Sequence, residues 1–361
     1  RDSVSGVNGA NLYFTIGKTV AWSDDNNPPQ GNTSIESVSE IWNNMIGGKR
    51  ITGYDINYGV PRFNWETGII YQQYDNALDS SVMLNTVYNF FVVTDEWNVY
   101  KCISNNNGAP STEKPTSTTA IGFFSTADGY VWKYMYTISS ADRLRFVTPY
   151  FIPISLSQDV ISQAIPGQVS SVVVTNPGQY YSSDMYIVIT GDGSGANAYP
   201  VFDGANNNLL KVVVDQPGSG YTRASASIFA AYGTNASARV VISPFYGHGY
   251  DPLSELGASY LIINPQLRAD EGGKLIAEND YRQIAIIEDP DVFQSDKPVS
   301  NSTFNQTLTL TVTGVSADYQ QDEYVYQGLD LASASFKGIV VKWDSSNSII
   351  YLSNTEGTPR S

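Results

Sequence analysis

The sequence predicts a mainly β, multi-domain protein made of β-sandwich layers with a few helices. At 361 residues the chain exceeds the usual size of one domain. Only 15% of its residues are charged, against about 25% in typical soluble domains, while Asn, Ser, Thr, Gly and Tyr are abundant. An internal repeat points the same way, because β-branched runs separated by Gly and Pro favour strands over helices.

Composition also narrows the choice of partners. The formal net charge of -15 repels phosphate backbones and anionic lipid. No apolar run approaches the roughly 20 residues of a membrane helix. Binding to nucleic acid and insertion into a membrane are therefore not predicted. With one cysteine, Cys102, the chain cannot form an intramolecular disulfide, which favours folding in a reducing cytosol.

The first predicted domain covers residues 1–165 plus 246–299 and contains one helix. Thr33 and Glu36 have the spacing of a capping box, and Gly47-Gly48 is predicted to end the helix. Between these signals, apolar residues recur on one face, which predicts docking against a sheet. These residues are Ile35, Val38, Ile41, Trp42 and Met45.

Strands are predicted around this helix where β-branched and aromatic residues recur with a period of two. In Tyr130–Ile138 the alternation is regular, and Val131 and Met135 on the second face predict burial on both sides. The predicted strands of this domain are Leu12–Ile16, Ile69–Tyr74, Val87–Val93, Val99–Ile103, Tyr130–Ile138, Tyr260–Ile263 and Arg282–Ile287, the last of which should continue the domain's sheet.

The second predicted domain, residues 166–245, is an inserted tandem β-repeat with a period of 40 residues. Residues 172–202 return without a gap as residues 212–242. Each copy is predicted to contain a strand, a Pro-Gly turn, an aromatic anchor, a second strand, a Gly-rich turn and a third strand. The matching residues include Val172-Val173-Val174 with Val212-Val213-Val214, Pro177-Gly178 with Pro217-Gly218, Tyr181 with Tyr221, Gly193 with Gly233, and Ala196 with Ala236.

The third predicted domain covers residues 300–361. Short strands are expected at Leu308–Thr313, Glu323–Tyr326, Gly338–Trp343 and Ile349–Ser353. Strands this short and closely spaced predict a small C-terminal β-barrel or sandwich.

Reactive groups are scarce in this sequence. A triad or a zinc site would need several partners, yet His248 is the only histidine, and its glycine neighbours favour a turn in which the ring bonds backbone. Cys102 is expected to be a buried apolar side chain. The carboxylates of Asp95-Glu96 and of Asp322-Glu323 should point to opposite strand faces. No catalytic, cofactor or metal residue is predicted, nor a small-molecule substrate, and the chain is not expected to be an enzyme.

The Gly-rich segment 191–195 and the many aromatic residues could each have either a structural role or a binding role. Gly191–Gly195 lacks the Lys of a phosphate loop and the spaced acids of a calcium loop, so a tight turn is predicted. The 25 tyrosines and 6 tryptophans suit β-core packing, a sugar-binding groove or a protein interface. Core packing is preferred for most of them. The exceptions lie in predicted turns: Tyr180, Tyr181, Tyr221 and Tyr232.

Five short motifs follow one another along residues 10–165 and 246–290. They are Tyr13-Phe14-Thr15-Ile16-Gly17-Lys18 leading to Ala21-Trp22-Ser23; the helix with Val38, Ile41-Trp42 and Met45; Val60-Pro61-Arg62-Phe63-Asn64-Trp65; Asp128-Gly129-Tyr130-Val131-Trp132-Lys133-Tyr134; and Tyr281-Arg282-Gln283-Ile284-Ala285-Ile286-Ile287. In this order they resemble a baseplate wedge subunit of contractile-tailed, T-even-like bacteriophages, of the gene-eight-product type, in a larger cyanophage-like variant.

The resemblance implies a non-enzymatic structural protein of the virion, located in the tail baseplate and synthesised in the bacterial host cytoplasm. It further implies a homodimer that contacts other baseplate wedge proteins and helps couple host attachment to tail-sheath contraction. The low charge and the scarcity of reactive groups agree with such a role. A tail-associated carbohydrate-binding protein, which would bind a receptor, is the alternative that the tyrosines and the Gly-rich loops leave open.

Overall fold

The computed structural model describes residues 11–78, 82, 88–203, 207–267, 278–292, 294–299, 307–320 and 322–360. The chain divides into two compact units, which we call unit 1 (residues 1–56 and 264–361) and unit 2 (residues 57–263). The described strands form six sheets, largely antiparallel, so the predicted mainly β, multi-domain fold is confirmed. The division into a core, an inserted repeat and a C-terminal domain stays a prediction.

The described elements are as follows. The helices are α1 Ile35–Asn44, α2 Ser140–Phe146, α3 Gln158–Ser162 and α4 Pro252–Glu255, with a 3-10 turn at Asn106–Gly108. The strands are β1 Leu12–Gly17, β2 Met45–Arg50, β3 Ile56–Pro61, β4 Phe91–Val93, β5 Asn98–Ser104, β6 Phe124–Ser125, β7 Val131–Thr137, β8 Phe151–Pro153, β9 Val169–Asn176, β10 Tyr186–Gly191, β11 Ser194–Asp203, β12 Asn208–Ser219, β13 Ala224–Phe229, β14 Ser237–Ile242, β15 Tyr260–Ile263, β16 Gln283–Glu288, β17 Leu308–Thr311, β18 Tyr324–Gln327, β19 Phe336–Asp344 and β20 Ile349–Gly357.

In unit 1, β1 is the middle strand of an antiparallel sheet in the order β16-β1-β2, which confirms that the strand predicted at Arg282–Ile287 continues this sheet. Helix α1 begins one residue later than predicted, because the Ser34 hydroxyl, and not Thr33, accepts from the Ser37 amide. The helix ends at Asn44, and Gly47-Gly48 lies within β2. The prediction that these glycines end the helix is wrong, because the chain turns directly into a strand.

The C-terminal part of unit 1 is an open four-stranded antiparallel sheet in the order β17-β20-β19-β18. Its inner face carries a small buried core formed by Phe336, Val340, Ile350 and Leu352. In the described residues this sheet does not close into a barrel.

In unit 2, β5 and β7 form the centre of a sheet in the order β4-β5-β7-β6. Both strands are buried along almost their whole length, which confirms the predicted burial on both faces of β7. Residues 69–74 form no strand, although the Tyr74 amide donates to the Cys102 carbonyl at 2.8 Å. The prediction of a strand there is wrong, and Val87 lies outside the described residues.

The two repeat copies exchange strands with each other. The first strand of copy one, β9, pairs with the third strand of copy two, β14, and β12 of copy two pairs with β11 of copy one. The registers agree under the 40-residue shift: Val174 pairs with Ala238, and Val214 with Ala198. The resulting sheet has the order β11-β12-β9-β14, and β10 pairs with β13 in a second layer.

The repeated tyrosines hold the two copies together. A Cβ placed on Gly233 would lie 2.3 Å from Tyr181 Cδ1, so the ring occupies the space that this glycine leaves open. The Tyr181 hydroxyl accepts from the Ala236 amide at 2.9 Å. Each copy thus supplies the tyrosine that fits the glycine of the other. The same contacts recur with the roles reversed in Tyr221, Gly193 and Ala196.

Candidate functional site

A buried cluster of charged side chains lies where β5, β7 and α4 meet. Lys101 and Lys133 are register partners on β5 and β7, and both are almost completely buried. Glu255 accepts from Lys101 Nζ at 2.8 Å and from the Gly249 amide at 2.7 Å. Lys133 Nζ donates to the Ala120 carbonyl at 2.6 Å. Paired like charges repel each other, and the Glu255 carboxylate offsets this repulsion between the two lysines.

The segment Gly247-His248-Gly249 carries the histidine into this cluster. The two glycines have left-handed φ angles of 93° and 89°. A Cβ would lie 2.6 Å from Ile165 O on Gly247 and 2.4 Å from Val160 Cγ1 on Gly249. Only glycine allows the backbone to come this close, and the approach buries the ring of His248.

Ser170, His248 and Glu255 have the residue types of a catalytic triad. Ser170 Oγ lies 2.7 Å from His248 Nε2, but His248 Nδ1 lies 3.6 Å from Glu255 Oε2, which is too long for a hydrogen bond. Glu255 already binds Lys101 and the Gly249 amide. The acid is therefore used to neutralise lysine and not to orient the imidazole.

The electrostatics of the cluster also oppose catalysis. Burial and the neighbouring Lys101 charge lower the pKa of His248 to about 4, so the ring is a weak base. Burial raises the pKa of Glu255, but the Lys101 ammonium and the His248 ring outweigh it and bring that pKa to about 2. Burial lowers the pKa of Lys133 to about 8. The cluster joins β5, β7, β9 and α4, and we assign it a structural role.

A cleft of about 800 Å³ opens between the repeat and the residues that follow β5. Val172 and Val212 pair across β9 and β12 and belong to the core of the repeat. Their chain neighbours Ser171 and Val213 point to the opposite face of that sheet, which is the face toward the cleft. The far wall includes Phe123, whose ring packs at 5.5 Å against the ring of His248.

Three exposed aromatic residues surround this buried histidine in sequence. Phe245, Tyr246 and Tyr250 are 79%, 55% and 44% exposed. Their rings contact one another, at 4.8 Å between Phe245 and Tyr246 and at 4.7 Å between Tyr246 and Tyr250. We call residues 245–250 the aromatic loop. Since His248 is fixed in the buried cluster, the loop presents these rings in a set arrangement.

In unit 1 the apolar face of α1 is largely uncovered. Ile35 is 87% exposed and Trp42 is 52% exposed, and no side chain of the helix is buried. The helix contacts β16, so the predicted docking against a sheet is confirmed there, but Ile35, Val38 and Trp42 stay exposed. Trp42 is of the residue type that most often anchors protein interfaces.

The remaining sequence-predicted residues have structural positions. Cys102 is fully buried, and burial raises the pKa of its thiol, as expected for an inert side chain. Asp95 and Glu96 are exposed in the turn between β4 and β5, and both pair with Lys114. The prediction that they point to opposite strand faces is therefore wrong, because they do not lie on a strand. Gly191–Gly195 spans the predicted turn between β10 and β11, where the Asp192 carboxylate accepts from the backbone amides of Thr222 and Arg223.

The four tyrosines predicted to lie in turns divide into two kinds. Tyr180 and Tyr232 are exposed, as predicted, but Tyr181 and Tyr221 are buried. The prediction for this second pair is wrong, because each ring is covered by the other copy of the repeat. The expectation that His248 bonds backbone is also wrong, since its ring bonds the Ser170 hydroxyl.

The exposed rings of the aromatic loop are of the residue types that are enriched at protein interfaces. In the described part of the chain, no three His, Cys, Asp or Glu side chains are grouped to hold a metal ion. The helices described are too short or too polar to span a bilayer.

No family model matches the chain. The chain is similar to baseplate wedge protein gp8 of Enterobacteria phage T4, with 23% identity over a 165-residue alignment. The alignment covers 37% of this chain and 49% of that protein, so the chain matches about half the length of this relative.

Proposed function

We propose that this chain is a structural component of a phage tail baseplate wedge. The observation that carries the proposal is the similarity to a protein named as a baseplate wedge protein. On this proposal the chain is located in the virion, is synthesised in the bacterial host cytoplasm and acts without catalysis. The weak basicity of His248 in the Ser170, His248 and Glu255 arrangement supports a non-enzymatic role.

The aromatic loop is the surface that we assign to a neighbouring wedge protein. Protein interfaces are enriched in Tyr and Phe, and their energy comes from a few rigid anchors. Tyr246 and Tyr250 meet this description, because the glycines beside His248 and the Ser170 contact hold their backbone in place. A rigid loop loses little conformational entropy on binding.

The apolar face of α1 is the surface that we assign to the homodimer. A two-fold contact there would cover Ile35 and Trp42, which the described part of the chain leaves exposed. In this arrangement residues 1–165 plus 246–299 supply the dimer contact through α1, and the aromatic loop contacts other wedge proteins together with residues 166–245 and 300–361. The assembled wedge then helps couple host attachment to tail-sheath contraction.

Native mass spectrometry tests this proposal, with the chain alone and mixed with the wedge proteins encoded beside it. We expect a homodimer that joins a defined wedge complex. A monomer that leaves those proteins unbound contradicts the proposal. Deleting residues 166–245 should leave the dimer intact, but it also removes Ser170, so point variants give the sharper result.

Two variants separate the two surfaces. Trp42→Glu should give a monomer, whereas Leu329→Glu, an equally drastic change at a fully exposed apolar residue of unit 1, should not. Tyr246→Ala should keep the dimer and lose the wedge complex, whereas Tyr150→Ala, at another exposed tyrosine of unit 2, should keep both. Equal behaviour of a variant and its control would refute the surface concerned.

The alternative of carbohydrate binding through Tyr181 and Tyr221 is not supported. Both rings are buried, and each hydroxyl accepts from a backbone amide of the other repeat copy. A sugar could not stack on either ring without separating the two copies.

A further inference from the structure

The cleft between the repeat and the residues after β5 combines neutral polar groups with a partly apolar wall. We propose that it binds a neutral oligosaccharide. Its volume of about 800 Å³ lies within the range of ligand sites, about 300–1,000 Å³. The proposal is independent of the baseplate assignment, because it concerns a different surface of unit 2.

The lining of the cleft matches a ligand with many hydroxyl groups. Amides and hydroxyls both donate and accept hydrogen bonds, as sugar hydroxyls do. Phe123, Val173 and Val213 provide apolar contact for the C–H faces of a sugar ring. The amide and hydroxyl side chains of the lining are Gln73, Ser104, Asn105, Asn106, Asn107, Ser125, Ser170 and Ser171.

Ser171 provides the observation that points to a ligand. Ser171 belongs to the lining of the cleft and is 5% exposed, and its buried hydroxyl has no hydrogen-bond partner among the described residues. A buried hydroxyl without a partner costs about 1–3 kcal/mol. This oxygen is closed to water, so a ligand hydroxyl would reach it only after the Ser171 side chain rotates toward the cleft. Binding would then recover part of that cost.

The charges of the cleft disfavour other classes of ligand. Of the described lining residues only Lys211 and Asp215 are charged, and they have opposite signs. Lys211 already donates to the Asn106 side chain, and the chain's net charge of -15 repels anions. Asn105 and Asn106 already bond within the protein, but a purely apolar ligand would remove water from other polar side chains of the lining, such as Asn107 and Ser104. A neutral, hydroxyl-rich ligand avoids both costs.

Two contacts fix the walls of the cleft. Arg239 on β14 binds the Asp75 carboxylate through two nitrogens, at 2.9 and 2.5 Å, and so ties the repeat to residues before β4. Ser170 bonds the buried His248 at the inner end of β9. Walls held in this way are preorganised, so a ligand loses less free energy in ordering them.

The test begins with a glycan array of neutral and acidic oligosaccharides, probed with the full chain. The best neutral ligand is then measured by calorimetry, and lactose is compared with 3′-sialyllactose as its acidic counterpart. Ser171→Val should weaken binding about tenfold, since it removes one hydrogen bond. Val213→Trp should abolish binding by filling the cleft. Tyr186→Ala, at an exposed residue of β10 outside the cleft, should leave binding unchanged.

Each outcome decides the matter. Retention of neutral glycans with the expected order of variants supports the proposal. It is overturned if no neutral glycan is retained and NMR detects no saturation transfer to maltotriose, lactose or chitotriose. It is also overturned if acidic glycans bind better, or if Val213→Trp binds as the unchanged chain does. Should Val213→Trp fail to fold by circular dichroism, the milder Ser171→Val decides.

Discussion

The stability of this protein should fall between pH 7 and pH 5 because of one residue. His248 is the only histidine, and burial beside Lys101 lowers its pKa from 6.5 to about 4. Between these values the unfolded chain binds a proton that the folded chain does not, so stability is lost as the pH falls. The full effect is about 3 kcal/mol, of which about 2 kcal/mol falls between pH 7 and pH 5.

Two neighbouring groups of the buried cluster titrate outside this window. The contribution of Glu255, whose pKa is about 2, is complete above the ordinary carboxyl pKa of 4.5 and is lost only below it. Lys133, whose pKa is about 8, is largely charged at pH 7 and below in both the folded and unfolded chains. Neither group accounts for a change between pH 7 and pH 5, and a variant without the imidazole isolates the contribution of His248.

Urea unfolding followed by tryptophan fluorescence at pH 7, 6 and 5 measures this effect. His248→Asn should remove the pH dependence. Ser170→Ala is the matched control: it leaves the ring buried, so it should keep the pH dependence while lowering stability at each pH by about 1 kcal/mol. Two results would refute the reasoning. One is a wild-type protein with the same free energy of unfolding at pH 7 and pH 5, and the other is a His248→Asn variant whose free energy of unfolding keeps the full pH dependence.

Three further predictions concern the repeat and the buried cluster, each checked by the free energy of urea unfolding. Gly233→Ala should cost about 1–3 kcal/mol, because the new methyl group meets the Tyr181 ring; a neutral result would show that the copies can separate. Tyr181→Phe should cost about 1 kcal/mol for one lost hydrogen bond, and no loss would mean that the hydroxyl contributes nothing. Lys101→Met should cost about 3–5 kcal/mol by leaving the Glu255 carboxylate unpaired, and adding Glu255→Gln should restore part of the loss. Lys114→Met, at an exposed ion pair, is the control and should cost less than about 1 kcal/mol. Additive losses in the variant that combines Lys101→Met with Glu255→Gln would contradict the buried pairing.

Most strands could be predicted because their side chains alternate with the period of two that a sheet imposes. This holds for β1, β5, β7 and β16, where a buried face meets a partner strand. Residues 69–74 have a similar composition, but Tyr71 and Tyr74 are buried by packing and not by strand pairing. Buried loops and paired strands can both carry aromatic and β-branched residues. The sequence pattern alone therefore could not show that residues 69–74 are buried without being a strand.

The buried cluster could not be predicted, because Lys101, Lys133 and Glu255 are of types that usually face water. Two signals were nevertheless present in the sequence. Both lysines stand within strands whose neighbours are apolar on either side, and His248 stands between two glycines. The sequence does not show that the fold brings Glu255, 154 residues away, into contact with Lys101.

The strand exchange in the repeat has a consequence for synthesis on the ribosome. The strands that pair with β9 are β12 and β14. Val174 therefore cannot pair with Ala238 until 64 further residues have been synthesised. The first copy is complete in sequence long before its own sheet can form. The sheet of the repeat should therefore be completed only after Ile242 has left the exit tunnel, and a ribosome stalled between the copies would hold a nascent chain with unpaired strand edges.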